Sequence, residues 1–329
     1  MNILITGGTG FIGSRLALKC LEKGDSVKVL GQENTPAEIE NRKFIESKGA
    51  EVIVGSVIDR EKVFASMNRI DGVYHLAAAQ HEANVPDQVF WDVNAGGTKT
   101  ILEASVKAGV TRFVHGSTIG VYGSSLGGRI HEQSPLKPDN IYGITKLEGE
   151  KLAYSYRKKI PVVIIRISET YGPGDRRLLK LFKAIKKKAF FMIGTGENIH
   201  HLIFVDDLIE GFFQAATAEK ATGEIFVLAG KESLTTNEMV RLIAEDMGAG
   251  GPRFHAPLSP FLMVATLMEK TMRPIGIQPP LHRRRMDFFK KSFFFSHQKA
   301  SDILGFAPRF SFKEGVSETA KWYNEMGYL

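Results

Sequence analysis

The sequence of 329 residues contains only one cysteine, Cys20, so no disulfide can form within the chain. A chain without disulfides suits a reducing compartment, and we expect a cytoplasmic protein. The sequence also lacks any uninterrupted apolar run of about 18 residues, the length that a membrane-spanning helix needs, and therefore predicts no transmembrane segment. The first apolar run, Ile3–Ile5, is short and has no basic residue before it, so we expect no signal peptide.

The chain has no strong bias of charge, with a formal net charge of +7. This excess favours anionic ligands or surfaces, but the basic runs at 157–159, 186–188, 283–285 and 290–291 are most simply solvated faces. They are not interleaved with aromatic residues as in a known RNA-binding motif, so we expect no nucleic-acid partner. The histidines lack a metal-ligand spacing, and we expect no metal site.

Short β-branched runs alternate with amphipathic segments through the first half of the chain, such as 14–23, 61–68, 97–108 and 142–158. This alternation predicts an α/β fold, a doubly wound, Rossmann-like parallel sheet with helices on both faces. The runs are nearly continuous in apolar residues, as burial on both faces requires. Strands are expected at Asn2–Thr6, Ser26–Leu30, Glu51–Gly55, Gly72–Ala77, Arg112–Ser117 and Val162–Ser168.

The pattern loosens after about residue 170, and prolines become denser between Pro252 and Pro280. Two later runs, Leu202–Val205 and Glu224–Ala229, are candidates to return to the sheet. We therefore expect a dinucleotide-binding domain over 1–170, with returning strands at about 202–230. The remainder, 171–329, is expected to be mainly a smaller substrate-binding lobe that is partly interleaved with the first domain.

A glycine-rich turn, "TGGTGFIG", follows the first strand and opens a helix. Gly8, Gly10 and Gly13 match the G-x-G-x-x-G pattern of dinucleotide-binding proteins, in which glycine allows a tight turn and a close backbone approach to a pyrophosphate. The positive end of the following helix favours that anion. The strand before the motif and the helix after it support a dinucleotide site.

The second strand ends in Val29-Leu30-Gly31-Gln32-Glu33. A carboxylate at this place accepts the ribose 2′-hydroxyl of NAD, whereas an arginine accommodates the phosphate of NADP. No arginine or lysine follows directly, and Glu33 would repel a phosphate. We expect NAD as the cofactor, with NADP left open.

The stretch "IYGITK" places Tyr142 and Lys146 four residues apart on a helix, and therefore on one face of it. A free phenol has a pKa near 10 and is a weak base at neutral pH, but a neighbouring ammonium and an oxidised nicotinamide both lower that pKa. Such a tyrosine can take a proton from an alcohol as hydride leaves the same carbon. Ser117 and Thr118 end a strand at the edge where ligands bind, and a hydroxyl there can hydrogen-bond the reacting oxygen.

These features resemble the extended short-chain dehydrogenases/reductases of the NAD-dependent epimerase/dehydratase family. The resemblance spans nearly the whole chain and is carried by "TGGTGFIG", "VYHLAA", "NAGGT", "GSTIGVYG", "YGITKLEGE", "RISETYGPGD", "FVDDL" and the tail "KASDILGFAPRFSFKEGV". It implies a catalytic triad of Thr118, Tyr142 and Lys146 and a small-molecule substrate. It also implies a homodimer formed through the helix of Tyr142 and the one near Thr98–Ala108.

On this resemblance we predict two sets of binding residues that share the carboxyl edge of the sheet. The substrate residues are expected to be Gln80, Thr118, Tyr142, Glu169 and Arg283. The cofactor residues are expected to be Gly7, Gly10, Phe11, Ile12, Gly13, Gln32, Ser56, Val57, Leu76, Ala77, Ala78, Asn94, Ser117, Tyr142, Lys146, Ile167, Ser168 and Glu169.

The sequence departs from the family pattern at two places. Ser56 stands where many members carry an acid that touches the adenine, and Glu169 stands where many sugar-nucleotide members carry an asparagine. Relatives that dehydrate sugars carry Asp-Glu after the threonine, whereas this chain has Ile119 and Gly120, so we predict no dehydratase activity. Cys20 lies in the first helix and is expected to be a packing residue rather than a proton donor.

The reaction expected first is a 4-epimerisation of a nucleotide sugar, which needs only hydride transfer and the tyrosine proton. The alternative is a dehydrogenase or reductase of a bulky apolar hydroxy or keto substrate, because the segment 257–289 resembles that of hydroxysteroid dehydrogenase and dihydroflavonol reductase relatives. Its apolar stretch Phe261–Met268 is a candidate pocket lining or membrane contact, although lobe packing is the simpler interpretation. A third possibility is a non-catalytic relative that senses a dinucleotide or binds RNA.

Overall fold

A seven-stranded parallel sheet forms the centre of the protein. The computed structural model describes residues 1–80, 85–124, 128–252, 254–272, 275, 277, 279–281 and 286–329. All neighbouring strands of this sheet run parallel. In their order across the sheet, the strands are β11 (Ile225–Leu228), β6 (Val162–Ile167), β5 (Arg112–Thr118), β4 (Gly72–His75), β1 (Asn2–Thr6), β2 (Ser26–Gly31) and β3 (Glu51–Val54). The expected Rossmann-like fold is confirmed.

Helices cover both faces of the sheet and build the smaller lobe. On the sheet lie α1 (Phe11–Glu22), α2 (Pro36–Ser47), α3 (Arg60–Ser66), α5 (Thr98–Ala108), α6 (Ile141–Ser155) and α8 (Val205–Thr217), and α4 (Asp87–Phe90) packs against α6. Between α4 and α5 the chain forms a π-helix over Trp91–Gly97. The later helices are α7 (Leu179–Lys186), α9 (Thr236–Asp246), α10 (Leu258–Met272), α11 (Gln298–Leu304) and α12 (Phe312–Glu325).

Each face of the sheet has its own apolar core. On one face Leu16 and Cys20 of α1 pack with Phe212 of α8, and on the other Val63 of α3 packs with Leu102 of α5. Strands buried on both faces need apolar side chains at nearly every position, which explains the apolar runs in the sequence. The burial of Cys20 raises the pKa of its thiol to about 12, in agreement with a packing role.

The expected return of two later runs to the sheet is half correct. Ile225–Leu228 pairs with β6 as the edge strand β11. The run Leu202–Val205 instead contributes β10 (Ile203–Phe204), which pairs with β7 (Thr170–Tyr171) outside the main sheet. Two further short ribbons join β9 (Ile199–His200) to β12 (Leu234–Thr235) and β8 (Met192–Ile193) to β13 (His255–Ala256).

The smaller lobe has a separate core in which aromatic side chains of α7 and α12 meet. Phe182 and Tyr323 pack edge to face with ring centroids 5.2 Å apart, and the Tyr323 hydroxyl donates to the carbonyl of Asp175 at 2.6 Å. Among the helices that the structure describes, we find none with the length and apolar content to cross a membrane.

Candidate active site

The glycine turn between β1 and α1 is shaped for a ligand that approaches the backbone closely. Gly7 has a φ of +72°, a conformation that favours glycine. A Cβ at Gly13 would lie 2.3 Å from the carbonyl oxygen of Gly7, so only glycine lets the helix start this close to the turn. The turn also abuts the end of β4, because a Cβ at Gly7 would lie 2.7 Å from the nitrogen of Ala77. Leu76 and Ala77 therefore border the turn, and Ala78 follows them in the chain.

The first turn of α1 is left open to an anion. Gly10 is its N-cap residue and supplies no side-chain cap, and the first turn carries no acidic residue. By contrast Thr35 caps α2 through a capping box. Uncapped N–H groups at a helix N-terminus, with glycines before them, fit the pyrophosphate of a dinucleotide. Phe11 and Ile12 flank this end and are partly buried.

A carboxylate that follows β2 is paired with a guanidinium from α2. Glu33 forms an ion pair with Arg42 of α2 at 3.1 Å, and both side chains are partly exposed. Gln32 accepts a hydrogen bond from Asn34 at 3.1 Å. Arg42 was not singled out in the sequence, because it follows β2 by eleven residues and reaches back from a helix. At the end of β3, Ser56 accepts from the backbone of Ile58 at 3.4 Å, and Val57 is buried.

Asn94 lies in the π-helix and holds the loop after β4. Its side chain accepts from the nitrogen of Ala79 at 2.8 Å and donates to the carbonyl of Ala79 at 3.1 Å and to the hydroxyl of Thr145 at 3.0 Å. The side chain is fully buried. Asn94 therefore joins the loop beside the glycine turn to the helix of Tyr142.

Lys146 is buried against strand β5. Its ammonium donates to the carbonyl oxygen of Gly116 at 2.6 Å, and only 2% of the residue is exposed. Burial lowers the pKa of Lys146 to about 8, while the carboxylate of Glu150, one turn further along α6, acts in the opposite direction. Tyr142 lies one turn before Lys146 and is half-buried.

Thr118 and Tyr142 meet around Gly120. A Cβ at Gly120 would lie 3.4 Å from the hydroxyl oxygen of Thr118 and 3.8 Å from Cδ1 of Tyr142. The Thr118 oxygen accepts from the nitrogen of Gly120 at 3.1 Å, which leaves its O–H available as a donor. A Cβ at Gly143 would lie 2.6 Å from the carbonyl of Gly120, so glycines on both elements allow this approach. The structure thus places Thr118 and Tyr142 on either side of Gly120, with Lys146 one helical turn after Tyr142 on α6.

A buried ion pair lies behind Lys146. Arg166 of β6 donates to both carboxylate oxygens of Glu150, at 2.6 and 3.1 Å, and Glu150 also accepts from the hydroxyl of Ser117 at 2.7 Å. Arg166 further donates to the hydroxyl of Tyr122 at 2.7 Å. The predicted cofactor residue Ser117 therefore uses its hydroxyl within this network.

Two buried histidines occupy the strands next to the site. His75 contacts the hydroxyls of Thr6 at 2.7 Å and Thr98 at 2.9 Å. His115 lies 5.4 Å from it between ring centroids, and neither ring nitrogen of His115 has a hydrogen-bond partner among the described residues. Burial, with the charge of Lys146, lowers the pKa of His75 to about 3 and that of His115 well below its ordinary value. Both rings are therefore neutral.

Glu169 pairs with a histidine at the entrance of the smaller lobe. Its carboxylate lies 3.0 Å from Nδ1 of His200, whose other nitrogen contacts the hydroxyl of Thr236 at 3.2 Å. Burial raises the pKa of Glu169, but His200 and Arg177 outweigh it and hold this pKa below its ordinary value. Burial lowers the pKa of Arg177, but its interactions with Asp175, Glu169 and Tyr142 outweigh burial and raise this pKa above its ordinary value. Arg177 therefore interacts electrostatically with Glu169 and also with Tyr142.

The remaining predicted site residues lie in different parts of the chain. Ile167 is the last residue of β6. Ser168 lies between it and Glu169 and donates to the carbonyl of His201. Gln80 is exposed in the loop after β4. Arg283 lies outside the described residues. In the part of the chain that the structure describes, no group of three or more potential metal ligands is found.

The sequence reasoning missed Glu150, Arg166, His200 and Arg177. Two signals were available: Glu150 follows Lys146 by four residues on the same helix face, and Arg166 interrupts the apolar run of β6, where a charge needs a buried partner. His200 and Arg177 join the site only through the folding of the smaller lobe, and no local spacing indicates this.

Comparison with known proteins finds similar structures and sequences that cover nearly the whole chain. The structure of UDP-glucuronic acid 4-epimerase from Bacillus cereus in complex with UDP-glucuronic acid and NAD superposes with a TM-score of 0.81, at 25% identity over 99% of this chain and 100% of that one. A dTDP-glucose 4,6-dehydratase of Streptomyces antibioticus is 28% identical over 99% of this chain and 93% of its own length. The 3beta-hydroxysteroid-dehydrogenase/decarboxylase isoform 2 of Arabidopsis thaliana is 26% identical over 98% of this chain and 62% of its own length. Because residues 3–229 match the model of the NAD dependent epimerase/dehydratase family, the chain belongs to that family.

Proposed function

We propose that this protein is an NAD-dependent nucleotide-sugar 4-epimerase that acts through Thr118, Tyr142 and Lys146. The observation that carries the proposal is the buried ammonium of Lys146, held one helical turn from Tyr142 at the carboxyl edge of the sheet. The similarity to the Bacillus cereus 4-epimerase supports this choice of reaction. The open glycine turn and the uncapped start of α1 would hold the pyrophosphate of NAD.

Each of the three residues has a distinct role in the proposed reaction. NAD, when bound, supplies the hydride acceptor. Tyr142 takes the proton from the substrate hydroxyl as hydride leaves the same carbon. It returns this proton to the oxygen of the transient ketone when the hydride comes back to the opposite face of that carbon, which inverts the centre. The Lys146 ammonium stabilises the phenolate form of Tyr142. The free O–H of Thr118 donates to the reacting oxygen and so orients it.

Other reactions of the family fit these residues less well. Ile119 and Gly120 carry no acid or base for the elimination of water. The thiol of Cys20 is buried in the core under α1, with a raised pKa, and cannot serve as a proton donor to a substrate. A 4-epimerisation needs neither group.

A second candidate is the oxidation or reduction of a bulky apolar hydroxy or keto substrate. It is favoured by the apolar helix α10 in the smaller lobe and by the similarity to the Arabidopsis 3beta-hydroxysteroid-dehydrogenase/decarboxylase. In that reaction the same three residues act, but the cofactor leaves after each turnover. A 4-epimerase instead retains its cofactor through the cycle.

The experiment first measures retained cofactor by native mass spectrometry, and then turnover of UDP-glucose, UDP-galactose and a 3β-hydroxysteroid. We expect retained NAD and interconversion of the two sugars. Tyr142→Phe should lower kcat by about 10²–10⁴, whereas Tyr154→Phe, an exposed tyrosine on the same helix, should not. Net steroid oxidation would favour the second candidate, and NAD binding without any turnover would favour a non-catalytic relative.

A further inference from the structure

Helix α10 has one buried and one exposed apolar face. Ala265 is fully buried and packs with Ile193 in the smaller lobe. On the other side Met263, Val264 and Leu267 are 72%, 47% and 63% exposed. Residues spaced by three and four lie on the same side of a helix. Scattered apolar residues are normal on a surface, whereas adjoining ones mark an interaction site.

The exposed surface continues beyond the helix through stacked aromatic rings. Phe254 is 58% exposed, and its ring stacks on that of Phe191 with centroids 5.2 Å apart. Phe191 in turn lies 5.9 Å from the ring of Phe261, which precedes Val264 by three residues on α10. We call Phe254, Met263, Val264 and Leu267 the apolar patch.

Lysines adjoin the apolar patch on two sides. Lys186, Lys187 and Lys188 are exposed at the end of α7, and Lys188 lines a surface depression with Phe190 and Pro252, close to the Phe191–Phe254 stack. Lys270 is exposed and follows Leu267 by three residues. Within the described ranges, no carboxylate forms an ion pair with any of these four lysines. We call these four residues the lysine cluster.

We propose that the apolar patch and the lysine cluster dock this protein on the surface of an anionic lipid bilayer. An apolar helix face sinks into the boundary between headgroups and acyl chains, and nearby lysines attract anionic headgroups. Stable attachment needs two such signals together, and both occur here. Helix α10, about 22 Å long at 1.5 Å per residue, would lie in the plane of the bilayer surface.

A second copy of the chain is a poorer occupant of this surface. A two-fold interface sets the same surface of each copy against the other. The lysine cluster would then face its own counterpart, and like charges would oppose the contact. A bilayer that carries negative charge removes this conflict.

Co-sedimentation of the full-length protein with vesicles tests the proposal. We expect binding to vesicles of phosphatidylcholine with phosphatidylglycerol, weaker binding to phosphatidylcholine alone, and release by salt. Met263→Ser with Leu267→Ser should weaken binding by about tenfold or more. The control Phe44→Ser removes an apolar side chain of α2 that is 52% exposed, and this variant should bind as the unchanged protein does.

Charge is tested in the same way. Lys186→Gln with Lys187→Gln should weaken binding by about tenfold, whereas Lys43→Gln with Lys158→Gln, which removes two exposed lysines elsewhere, should have a much smaller effect. All substituted side chains are exposed, so thermal denaturation should show unchanged folding. The proposal is overturned if no vesicle binding occurs at low salt, or if the α10 variant binds unchanged. It is also overturned if light scattering shows a dimer that the α10 substitutions dissociate.

Discussion

The ammonium of Lys146 and the carbonyl oxygen of Gly116 are joined by a hydrogen bond of 2.6 Å. This bond joins α6, the helix that carries Tyr142, to the carboxyl-terminal part of β5, the strand that carries Thr118. It also takes the ammonium out of water, which lowers the pKa of Lys146 to about 8. The residue is therefore charged at neutral pH but close to its titration range.

Turnover should consequently fall above pH 8. Lys146 is charged below its pKa and loses its charge as the pH rises through that value, so support for the phenolate of Tyr142 is lost on the alkaline side. Measurement of kcat against pH should show this alkaline limb. Lys146→Met should lower kcat by about 10²–10⁴ and abolish the limb. An unchanged limb in this variant would assign it to another group.

Removal of one partner from the buried pair of Glu150 and Arg166 should be strongly destabilising. Glu150→Gln leaves the Arg166 guanidinium buried without a countercharge, and the free energy of unfolding should fall by about 3–5 kcal/mol. The double variant Glu150→Leu with Arg166→Met should lose less than this single variant. Glu245→Gln, in an exposed pair with Arg241, should change stability by less than about 0.5 kcal/mol. Urea denaturation measures all of these, and equal losses in the single and double variants would contradict the argument.

On the proposed reaction, Glu169 should select against a carboxylate on the sugar. Its pKa is held low by His200 and Arg177, so it is ionised at neutral pH, and the same Arg177 also interacts with Tyr142. We expect UDP-glucose to be preferred over UDP-glucuronic acid in kcat/KM, and Glu169→Gln to narrow this preference by about tenfold or more. The control Glu61→Gln removes an exposed carboxylate from α3 and should leave the preference unchanged.

Acid should destabilise the protein through its buried histidines. In the folded chain the pKa of His75 is lowered to about 3 from its ordinary value of 6.5, so the unfolded chain binds a proton in this interval that the folded chain does not. Stability is complete above pH 6.5 and falls as the pH decreases, by about 1.4 kcal/mol per pH unit for each such histidine. Urea denaturation as a function of pH measures this slope.

His115 allows a sharper form of this test. Its ring nitrogens have no partner within the described structure, so His115→Leu removes a desolvation penalty and should raise the free energy of unfolding by about 1 kcal/mol at pH 7. The same variant should reduce the slope below pH 6.5, since His115 also has a lowered pKa. The exposed His255, replaced by leucine, serves as the control. A steeper slope in His115→Leu would contradict the assignment.

The proposed homodimer should form through α5 and α6. Val106 and Tyr154 are exposed apolar residues on these two helices. Light scattering should give twice the chain mass of 36.4 kDa, because burial of such a surface in a two-fold interface stabilises association. Val106→Glu with Tyr154→Glu should shift the protein to a monomer, whereas Ile58→Glu, an exposed residue distant in sequence, should not.

Much of the sheet was predictable because its signals are local. The strand β1 has the predicted bounds, and the glycine turn and the Tyr142–Lys146 spacing each lie within a few residues of the chain. The ion pair of Glu150 and Arg166 joins a helix to a strand, and the pair of Glu169 and His200 joins the sheet to the smaller lobe. Such ion pairs depend on tertiary packing, and no periodicity in the sequence indicates them. The π-helix was missed for a related reason, since its sequence is also compatible with an ordinary helix.

The last strand of the sheet has a consequence for how the molecule can be divided. Strand β11 pairs with β6, but the chain builds β7 to β10 and helices α7 and α8 before it returns. A fragment that stops at residue 170 would leave the backbone of β6 unpaired along one edge and would lack Phe212, which packs under the sheet. Bare strand edges promote aggregation. We therefore expect that residues 1–170 do not survive as a stable fragment on their own.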